Sequence, residues 1–191
     1  MEGLGCVLRF VRKMKLIVIT RPEFIDDEAL RIVDLFSEKG IDLLHIRKPG
    51  STLEKFRTLI SQIPSQYHCR LVLHDHFSLA VDFDLYGVHL NSRNPLPPVG
   101  WKGSVSRSCH SLEEVAACKG ACSYVSLSPI FDSISKSGYL SAFSQEDIAA
   151  GVARGIIDDK VYALGGVTFD RLSLVQSMGF GGAMILGDAW K

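Results

Sequence analysis

The chain has 191 residues, of which 47% are hydrophobic, with 21 basic and 21 acidic side chains. This length and composition predict one domain with a sizeable core, and the balanced charge argues against a nucleic-acid partner. Five cysteines without a zinc-binding pattern indicate free thiols in a reducing, cytoplasmic compartment, and no apolar run reaches the roughly 20 residues of a membrane span.

The first thirteen residues lie outside the regular pattern, which begins at Met14. A signal peptide carries its basic residues before the apolar run and ends in small residues, and this segment does neither. We expect residues 1–13 to be a disordered extension and residues 14–191 to form a single domain.

Beyond Met14, short apolar runs alternate with amphipathic stretches. Residues 16–20 predict a first strand, and residues 26–39 predict a helix that ends at Gly40. The same cycle predicts further strands at residues 41–47, 70–75, 87–90, 104–109, 124–129, 161–164 and 182–186.

Helix starts and loops fill the intervals between these strands. Thr52, Ser144 and Thr168 stand where N-caps are expected, and Ser111 with Glu114 forms a capping box. Residues 77–81 leave room for only a short helix, while the Pro-rich stretch 91–102 and the Ser- and Gly-rich stretch 131–143 predict loops.

Near-continuous apolar strands that alternate with helices predict a parallel sheet covered on both faces. Eight such units favour a small (β/α)₈ TIM barrel with short helices and a truncated final helix, because only residues 187–191 follow the last strand. The alternative is an open doubly wound sheet, which needs a Gly-rich turn after the first strand, and Thr20-Arg21-Pro22-Glu23 is not such a turn.

Polar residues concentrate at the predicted carboxyl ends of the strands, where barrels carry their chemistry. Of the 6 histidines in the chain, only His68 lies elsewhere, and the strand-end histidines are His45, His74, His76, His89 and His110. This concentration favours an enzyme.

Several of these residues suggest a role from their position alone. Gly165 and Gly166, with the loop at Gly187, stand where barrels bind phosphate, although a plain turn explains a glycine pair as well. His110 is either a general acid–base or a histidine that bonds a helix N-terminus. His89 is expected to be a hydrogen-bonded core residue.

The charged residues that follow strands two and three each allow two interpretations of their role. Arg47 and Lys48 neutralise a carboxylate or diphosphate, or they form salt bridges at the rim. Asp75 is a loop cap or, together with substrate phosphates, a magnesium ligand.

Taken in order, these strand ends resemble the thiamine phosphate synthase superfamily over residues 16–186. The motifs that carry the resemblance are LHIRK at 44–48, LHDH at 73–76, GVHL at 87–90, SRSCHS at 106–111, SPIF at 128–131 through Lys136, and ALGGV at 163–167. The resemblance implies a thiamin-biosynthesis enzyme whose partner is a small phosphorylated heterocycle, and a homo-oligomer is compatible with it.

Compared with the synthases of that superfamily, which join an aminopyrimidine diphosphate to a thiazole phosphate with Mg²⁺, the chain departs in several motifs. His45 and His74 stand at the Gln and Asn positions, Pro49 at a Lys position, and Arg93 where the second acidic ligand belongs. Asp75 matches the first acidic ligand. Ser133, Ser135 and Lys136 match a phosphate motif in type, and Gly165-Gly166 is intact.

The thiazole tautomerase (TenI-like) branch is more similar to this chain. Its strand two resembles His45-Ile46-Arg47, and its strand five resembles Ser108-Cys109-His110-Ser111. That resemblance implies that His110 moves a proton, with His45 assisting, that Arg47 and Ser108 contact substrate, and that no metal is required.

Three hypotheses follow from the sequence. The favoured one is acid–base tautomerisation, and thus aromatisation, of a thiazole carboxylate phosphate. The second is a divergent, magnesium-dependent thiamine phosphate synthase, and the third is a non-catalytic barrel that binds thiazole phosphate.

Overall fold

The computed structural model describes residues 14–132 and 142–191. Eight parallel strands close into a barrel in sequence order, each paired with its neighbours and β1 paired with β8. The strands are β1 (Lys15–Ile19), β2 (Leu43–Ile46), β3 (Leu71–Leu73), β4 (Gly87–Leu90), β5 (Ser104–Cys109), β6 (Tyr124–Leu127), β7 (Val161–Ala163) and β8 (Gly182–Ile185). The predicted TIM barrel is therefore confirmed, while the predicted segment 1–13 lies outside the described residues.

Helices cover the outer face of the barrel. The larger of the two hydrophobic cores lies between these helices and the strands. The helices are α1 (Glu28–Ser37), α2 (Leu53–Gln62), α3 (Ser78–Asp82), α4 (Leu112–Cys118), α5 (Gln145–Ala153) and α6 (Leu172–Ser177). Between β4 and β5 the described chain forms no helix, as its prolines predict. None of the helices in the described ranges is long and apolar enough to cross a membrane.

Three of the predicted N-caps are present. Thr52, Ser111 and Ser144 each accept a hydrogen bond from a backbone N–H in the first turn of the next helix. The predicted cap at Thr168 is wrong, because its Oγ1 is buried without a partner among the described residues. Asp188 caps that turn instead, since its Oδ2 accepts from the Phe169 N–H at 3.0 Å.

A single 3₁₀ turn, Gly187–Trp190, follows β8. Trp190 is only 5% exposed and packs into the layer between strands and helices. Its indole Nε1–H donates to the carbonyl of Ile19 at 2.8 Å.

The barrel interior is divided into an apolar and a polar part. The apolar part contains Ile17, Ile19, Leu43, Tyr124, Tyr162 and Met184. The polar part consists of the inward-facing side chains of β2 to β6 nearest the mouth, which are His45, His74, His89, Ser106, Ser108 and Ser126. TIM barrels commonly fill these layers with Val, Ile and Leu, so the polar half marks the functional end of the barrel.

Candidate functional site

Three histidine rings meet inside the mouth of the barrel. His45, His74 and His89 lie on or directly after β2, β3 and β4, and all three are buried. The His74 and His89 rings stack with centroids 4.1 Å apart, and the His45 ring meets each of them edge-on. Three of the five strand-end histidines that the sequence singled out thus converge in one cluster. His76 does not join them, because its Nε2 lies 2.7 Å from the Ser51 carbonyl.

Hydrogen bonds from the neighbouring strands hold these rings. His45 Nδ1 lies 3.0 Å from His74 Nε2, and His45 Nε2 lies 2.6 Å from the Tyr124 hydroxyl. His89 bonds Ser106 through Nδ1 at 2.9 Å and Ser108 through Nε2 at 3.0 Å. Both ring nitrogens of His45 and of His89 are therefore satisfied, which a buried polar group requires.

Burial keeps these imidazoles neutral. Desolvation lowers the pKa of His45 and His74 well below the usual value, and the neighbouring histidines lower it further. Desolvation, with the Arg47 charge nearby, lowers the pKa of His89 to about 3. Each ring consequently has one N–H donor and one acceptor nitrogen at neutral pH.

The same three side chains are the candidate metal ligands of the described chain, with ligand atoms within 4.8 Å of one another. Neutral imidazole is a good ligand for transition metals. However, His74 and His89 stack with their planes only 22° apart, so their nitrogens do not point at one common centre. An ion would also have to displace the hydrogen bonds of His45 and His89. The arrangement fits a hydrogen-bonded cluster better than a metal centre.

Asp75 does not fit a magnesium site. Its carboxylate accepts from Nε and Nη2 of Arg93 at 3.1–3.2 Å and from Nδ2 of Asn94 at 2.9 Å. A magnesium ion needs carboxylate oxygens without a competing cation, and here a guanidinium already occupies them. The metal ligand that the synthase resemblance implies is thus engaged in a salt bridge.

Arg47 is half-buried beside this cluster. Its charge contributes to the lowered pKa of both His74 and His89. Its backbone is anchored by Thr20, whose Oγ1 accepts from the Arg47 N–H at 2.9 Å. No carboxylate in the described ranges pairs with Arg47, so this cation is available to an anionic ligand.

Lys48 is placed differently from the expectation that it faces the mouth. Its side chain is 0% exposed, and its Nζ donates to Glu28 Oε1 and to the Glu23 carbonyl, both at 2.6 Å. It also lies over the Phe24 ring. Because successive strand residues point to opposite faces, Lys48 leaves the barrel on the side opposite to Arg47. Its ammonium therefore anchors α1 rather than a ligand.

His110 lies above Ser106 and Ser108 on the inward side of β5. The ring is exposed, and Nδ1 contacts the Ser128 carbonyl at 3.2 Å and Ser128 Oγ at 3.3 Å. A carbonyl oxygen only accepts, so this contact favours a proton on Nδ1 and leaves Nε2 as an acceptor. Glu114 fixes the backbone by accepting from the His110 N–H at 2.7 Å. An accessible acceptor nitrogen on a fixed backbone suits a general base.

Gly165 and Gly166 form a tight turn after β7. Both have positive φ angles, 88° and 64°, and a Cβ at Gly166 would overlap the backbone of Phe131 and Asp132. The Gly166 N–H has no backbone acceptor in the described ranges, and neither has that of Gly187, which opens the turn after β8. These amides are available for an anion, whereas Ser133, Ser135 and Lys136 lie outside the described residues.

The sequence profile of the TMP-TENI family, described as thiamine monophosphate synthase, matches residues 16–187. The chain belongs to this family. The thiamine-phosphate synthase of Halalkalibacterium halodurans is 27% identical over 187 residues, which cover 88% of this chain and 84% of that protein.

Solved structures of family members agree with this assignment. The thiamine phosphate pyrophosphorylase from Bacteroides thetaiotaomicron is 44% identical, with a TM-score of 0.83 over 93% of this chain and 85% of that one. The thiamine phosphate pyrophosphorylase from Pyrococcus furiosus shares the fold at 20% identity, with a TM-score of 0.71 over 94% and 91% of the two chains. These relatives place this TMP-TENI protein among thiamin-biosynthesis enzymes.

Part of the site of this TMP-TENI protein was not found by sequence reasoning. Tyr124, Ser106 and Ser126 bind or surround the histidines, yet none of the three was predicted as a site residue. A signal was present, because Ser106, Ser108 and His110 alternate along β5 and Tyr124 and Ser126 alternate along β6. Polar side chains at every second position of a buried strand indicate a polar barrel interior.

Proposed function

We propose that this TMP-TENI protein tautomerises a thiazole carboxylate phosphate to its aromatic form by acid–base catalysis without a metal ion. The observation that carries the proposal is the bidentate salt bridge between Asp75 and Arg93. It engages the single matching magnesium ligand, so the chemistry has to rely on the histidines, on Arg47 and on backbone amides.

Each requirement of the reaction has a group at the mouth. His110 Nε2 removes the proton from the ring carbon, while its Nδ1–H remains bonded to Ser128. Arg47 binds the substrate carboxylate, and its half-buried position strengthens that ion pair. The substrate phosphate binds the amides after β7 and β8 at Gly165, Gly166 and Gly187, and the resemblance implies that Ser133, Ser135 and Lys136 also contact it.

A rate enhancement of about 10²–10⁴-fold from general acid–base catalysis is sufficient for this reaction, because aromatisation supplies the driving force. Ser108 faces the same space from β5 and contacts the heterocycle. His45 is fully buried and engaged at both nitrogens, so it assists through its neighbours rather than by touching substrate.

The test is to follow conversion of the thiazole carboxylate phosphate tautomer spectroscopically with purified protein and a metal chelator. We expect conversion that is unaffected by the chelator and lost in His110→Ala. Binding of inorganic phosphate serves as the control, because it is retained in His110→Ala if the fold and the glycine amides are intact. Wild-type rates in His110→Ala would remove His110 from the mechanism.

A second candidate is thiamine phosphate synthesis, which the names of the relatives favour. The 44% identical chain is called a thiamine phosphate pyrophosphorylase. Magnesium-dependent formation of thiamine phosphate from aminopyrimidine diphosphate and thiazole phosphate would establish this function over the tautomerase. Saturable thiazole phosphate binding without turnover of either substrate would establish the binding barrel instead.

A further inference from the structure

Arg47 and His74 are neighbours on adjacent strands at the mouth of the barrel. The pairing of β2 with β3 aligns Ile46 with Leu73, and the His74 N–H donates to the Ile46 carbonyl at 3.2 Å. One further residue in this register brings Arg47 opposite His74. Side chains alternate between the two faces of a strand, so Arg47 shares the inward face with His45 and His74. The two side chains are therefore adjacent at the edge of the polar interior.

One ring nitrogen of His74 is accessible to a ligand. Nδ1 has no hydrogen-bond partner within the described chain, although the residue is only 7% exposed. It is nevertheless not one of the fully buried polar atoms that lack a partner, so solvent reaches it. Because the rings of His45 and His89 pack against His74 from inside the barrel, Nδ1 faces the mouth.

The Tyr124 hydroxyl determines which nitrogen of His45 carries a proton. Burial raises the pKa of this phenol, which therefore keeps its proton at neutral pH. Its hydrogen-bond partner in the described chain is Nε2 of His45 at 2.6 Å, whereas the Ser106 hydroxyl is bonded to the Val88 carbonyl and to His89. The phenol donates to Nε2, because the opposite direction would leave its own proton without an acceptor in the barrel interior.

The same direction continues from His45 to His74. Both imidazoles are neutral, because burial lowers their pKa values well below the usual one, so each carries one ring proton. His45 accepts at Nε2 and must hold its proton on Nδ1, which donates to Nε2 of His74 at 3.0 Å. His74 accepts at Nε2, and its proton is consequently on Nδ1. The nitrogen that faces the mouth is therefore an N–H donor.

We propose that Arg47 and His74 form a carboxylate clamp, in which the Arg47 guanidinium binds one substrate oxygen and the His74 Nδ1–H binds the other. Tyr124 and His45 set its selectivity, because their hydrogen bonds exclude the His74 tautomer that would turn a lone pair toward the carboxylate. The inference rests on the proposed tautomerisation and deepens it, since it identifies a second group that recognises the substrate carboxylate. His74 is thus a specificity-determining residue, and Tyr124 and His45 are positioning residues that act through it.

A clamp made only of donors recognises an anion with two acceptor oxygens. A carboxylate accepts at both oxygens and carries no proton, and a hydrogen bond to an ionised acceptor is stronger than one to a neutral acceptor. A carboxamide replaces one acceptor with an NH₂ donor, which would face either the guanidinium or the His74 N–H. A ligand without the carboxyl group offers neither donor an acceptor. The clamp therefore favours the carboxylate over its amide and over the unsubstituted thiazole phosphate.

The first test uses the free protein and needs no ligand. In ¹⁵N-histidine-labelled full-length protein, two-bond ¹H–¹⁵N spectra report which ring nitrogen carries the proton, and we expect Nδ1–H for His45 and His74. Tyr124→Phe should remove the constraint on His45, so that a second tautomer appears in the spectra of both rings. Tyr162→Phe should keep the wild-type tautomers and is the matched control, because it removes a phenol hydroxyl from the ring stacked on Tyr124. A proton on Nε2 of His74 in the wild type would overturn the clamp.

The second test compares three ligands on the wild-type protein by calorimetry. They are the aromatic thiazole carboxylate phosphate, its carboxamide and thiazole phosphate without the carboxyl group. We expect the carboxylate to bind about tenfold to a hundredfold more tightly than the carboxamide, as for hydrogen bonds to a charged group. Equal affinities for the carboxylate and the carboxamide would contradict the clamp, and no variant has to fold for this comparison.

Variants of His74 separate its contribution from that of Arg47. His74→Leu should weaken binding of the carboxylate by about tenfold and leave the affinity for thiazole phosphate within about twofold. His74→Asn should restore most of the loss, because its amide N–H takes the position of Nδ1–H. Tyr124→Phe should reduce the preference for carboxylate over carboxamide, whereas Tyr162→Phe should retain it. Wild-type carboxylate affinity in a folded His74→Leu would show that Arg47 acts alone and that the clamp is wrong.

The clamp and the proposed function fail in different ways. Selective carboxylate binding without conversion of the tautomer would support the clamp and remove the tautomerase. Conversion by a protein that binds carboxylate and carboxamide equally, or whose His74 carries its proton on Nε2, would support the function and remove the clamp. A wild-type protein that neither binds nor converts the thiazole carboxylate phosphate would exclude both.

Discussion

The carboxylate of Asp75 and the guanidinium of Arg93 form a bidentate salt bridge at the mouth of the barrel, with N–O distances of 3.1–3.2 Å. Arg93 itself is largely exposed, while Asp75 is mostly covered. The carboxylate of Asp75 remains at the end of β3, but the charge of Arg93 neutralises it locally. Arg93 stands at the position where the synthase resemblance implies a second acidic ligand.

Replacing this cation should create a metal site. In Arg93→Asp, two carboxylates face each other without a competing cation, which is a donor set that magnesium accepts. We expect Mg²⁺ at a concentration about ten times Kd to raise the Tm of Arg93→Asp by roughly 3–6 °C, because it adds about 1.4 kcal/mol of stability. The wild type should show no shift.

Two controls separate coordination from general charge effects. Arg93→Ala should respond little, because it removes the cation without adding a ligand. The double variant Asp75→Asn with Arg93→Asp should lose the response, because one carboxylate is gone. A wild-type Tm that rises with Mg²⁺ as much as that of Arg93→Asp would contradict the assignment.

The sequence predicted the barrel and the convergence of the strand-end residues because both follow from local patterns. Apolar runs of four to six residues define the strands, and parallel strands bring their carboxyl ends to one edge. His45, His74 and His89 therefore had to meet once the barrel closed. Their partner Tyr124 lies 79 residues from His45 in the chain, and no local pattern indicates that pairing.

Long-range contacts also explain the two misplaced expectations. Lys48 was assigned to the mouth because it follows Arg47, although alternation places the two on opposite faces and Glu28 on α1 binds it there. Thr168 was assigned as a cap because residues of its type commonly cap helices. The Phe169 N–H is instead satisfied by Asp188 from the end of β8.

The Lys48–Glu28 pair should matter for stability. Both groups are almost fully buried, and desolvation raises the pKa of Glu28 and lowers that of Lys48. Lys48→Met leaves the Glu28 carboxylate buried without its counter-ion, so we expect a loss of about 3–5 kcal/mol in the free energy of unfolding. Urea denaturation at neutral pH measures it.

The matched control is an exposed ion pair of the same kind. Arg57 and Asp82 are 2.8 Å apart with side chains 41% and 46% exposed. Arg57→Met should cost less than about 1 kcal/mol. Adding Glu28→Gln to Lys48→Met should recover part of the loss, and the assignment fails if the buried and exposed pairs give equal losses.

The turn at Gly166 should tolerate a side chain less well than another glycine with a similar backbone. Gly166 and Gly50 have φ angles of 64° and 73°, but no atom lies within 4 Å of a Cβ built at Gly50. We expect Gly50→Ala to cost roughly 1–2 kcal/mol, from the left-handed backbone alone. Gly166→Ala should cost more and should also weaken binding of inorganic phosphate, as measured by calorimetry. Equal stability losses would mean that the loop at Phe131 yields easily.

The buried histidines should make the protein sensitive to mild acid. A histidine whose folded pKa is lowered stays neutral in the native state, while the unfolded chain binds a proton below about pH 6.5. The unfolded state then holds more protons, so stability falls as the pH drops from about 6.5 toward the folded pKa values, which for His89 is about 3.

For His45, His74 and His89 together, the loss between pH 7 and pH 5.5 should be roughly 4 kcal/mol, because each unfolded histidine contributes about 1.3 kcal/mol over that interval. Urea denaturation at the two pH values gives the difference directly. His89→Asn should reduce this pH-dependent loss by about a third. A stability that is flat from pH 7 to pH 5.5 would show that the three rings take up protons in the folded protein, and a neutral hydrogen-bonded cluster would then be excluded.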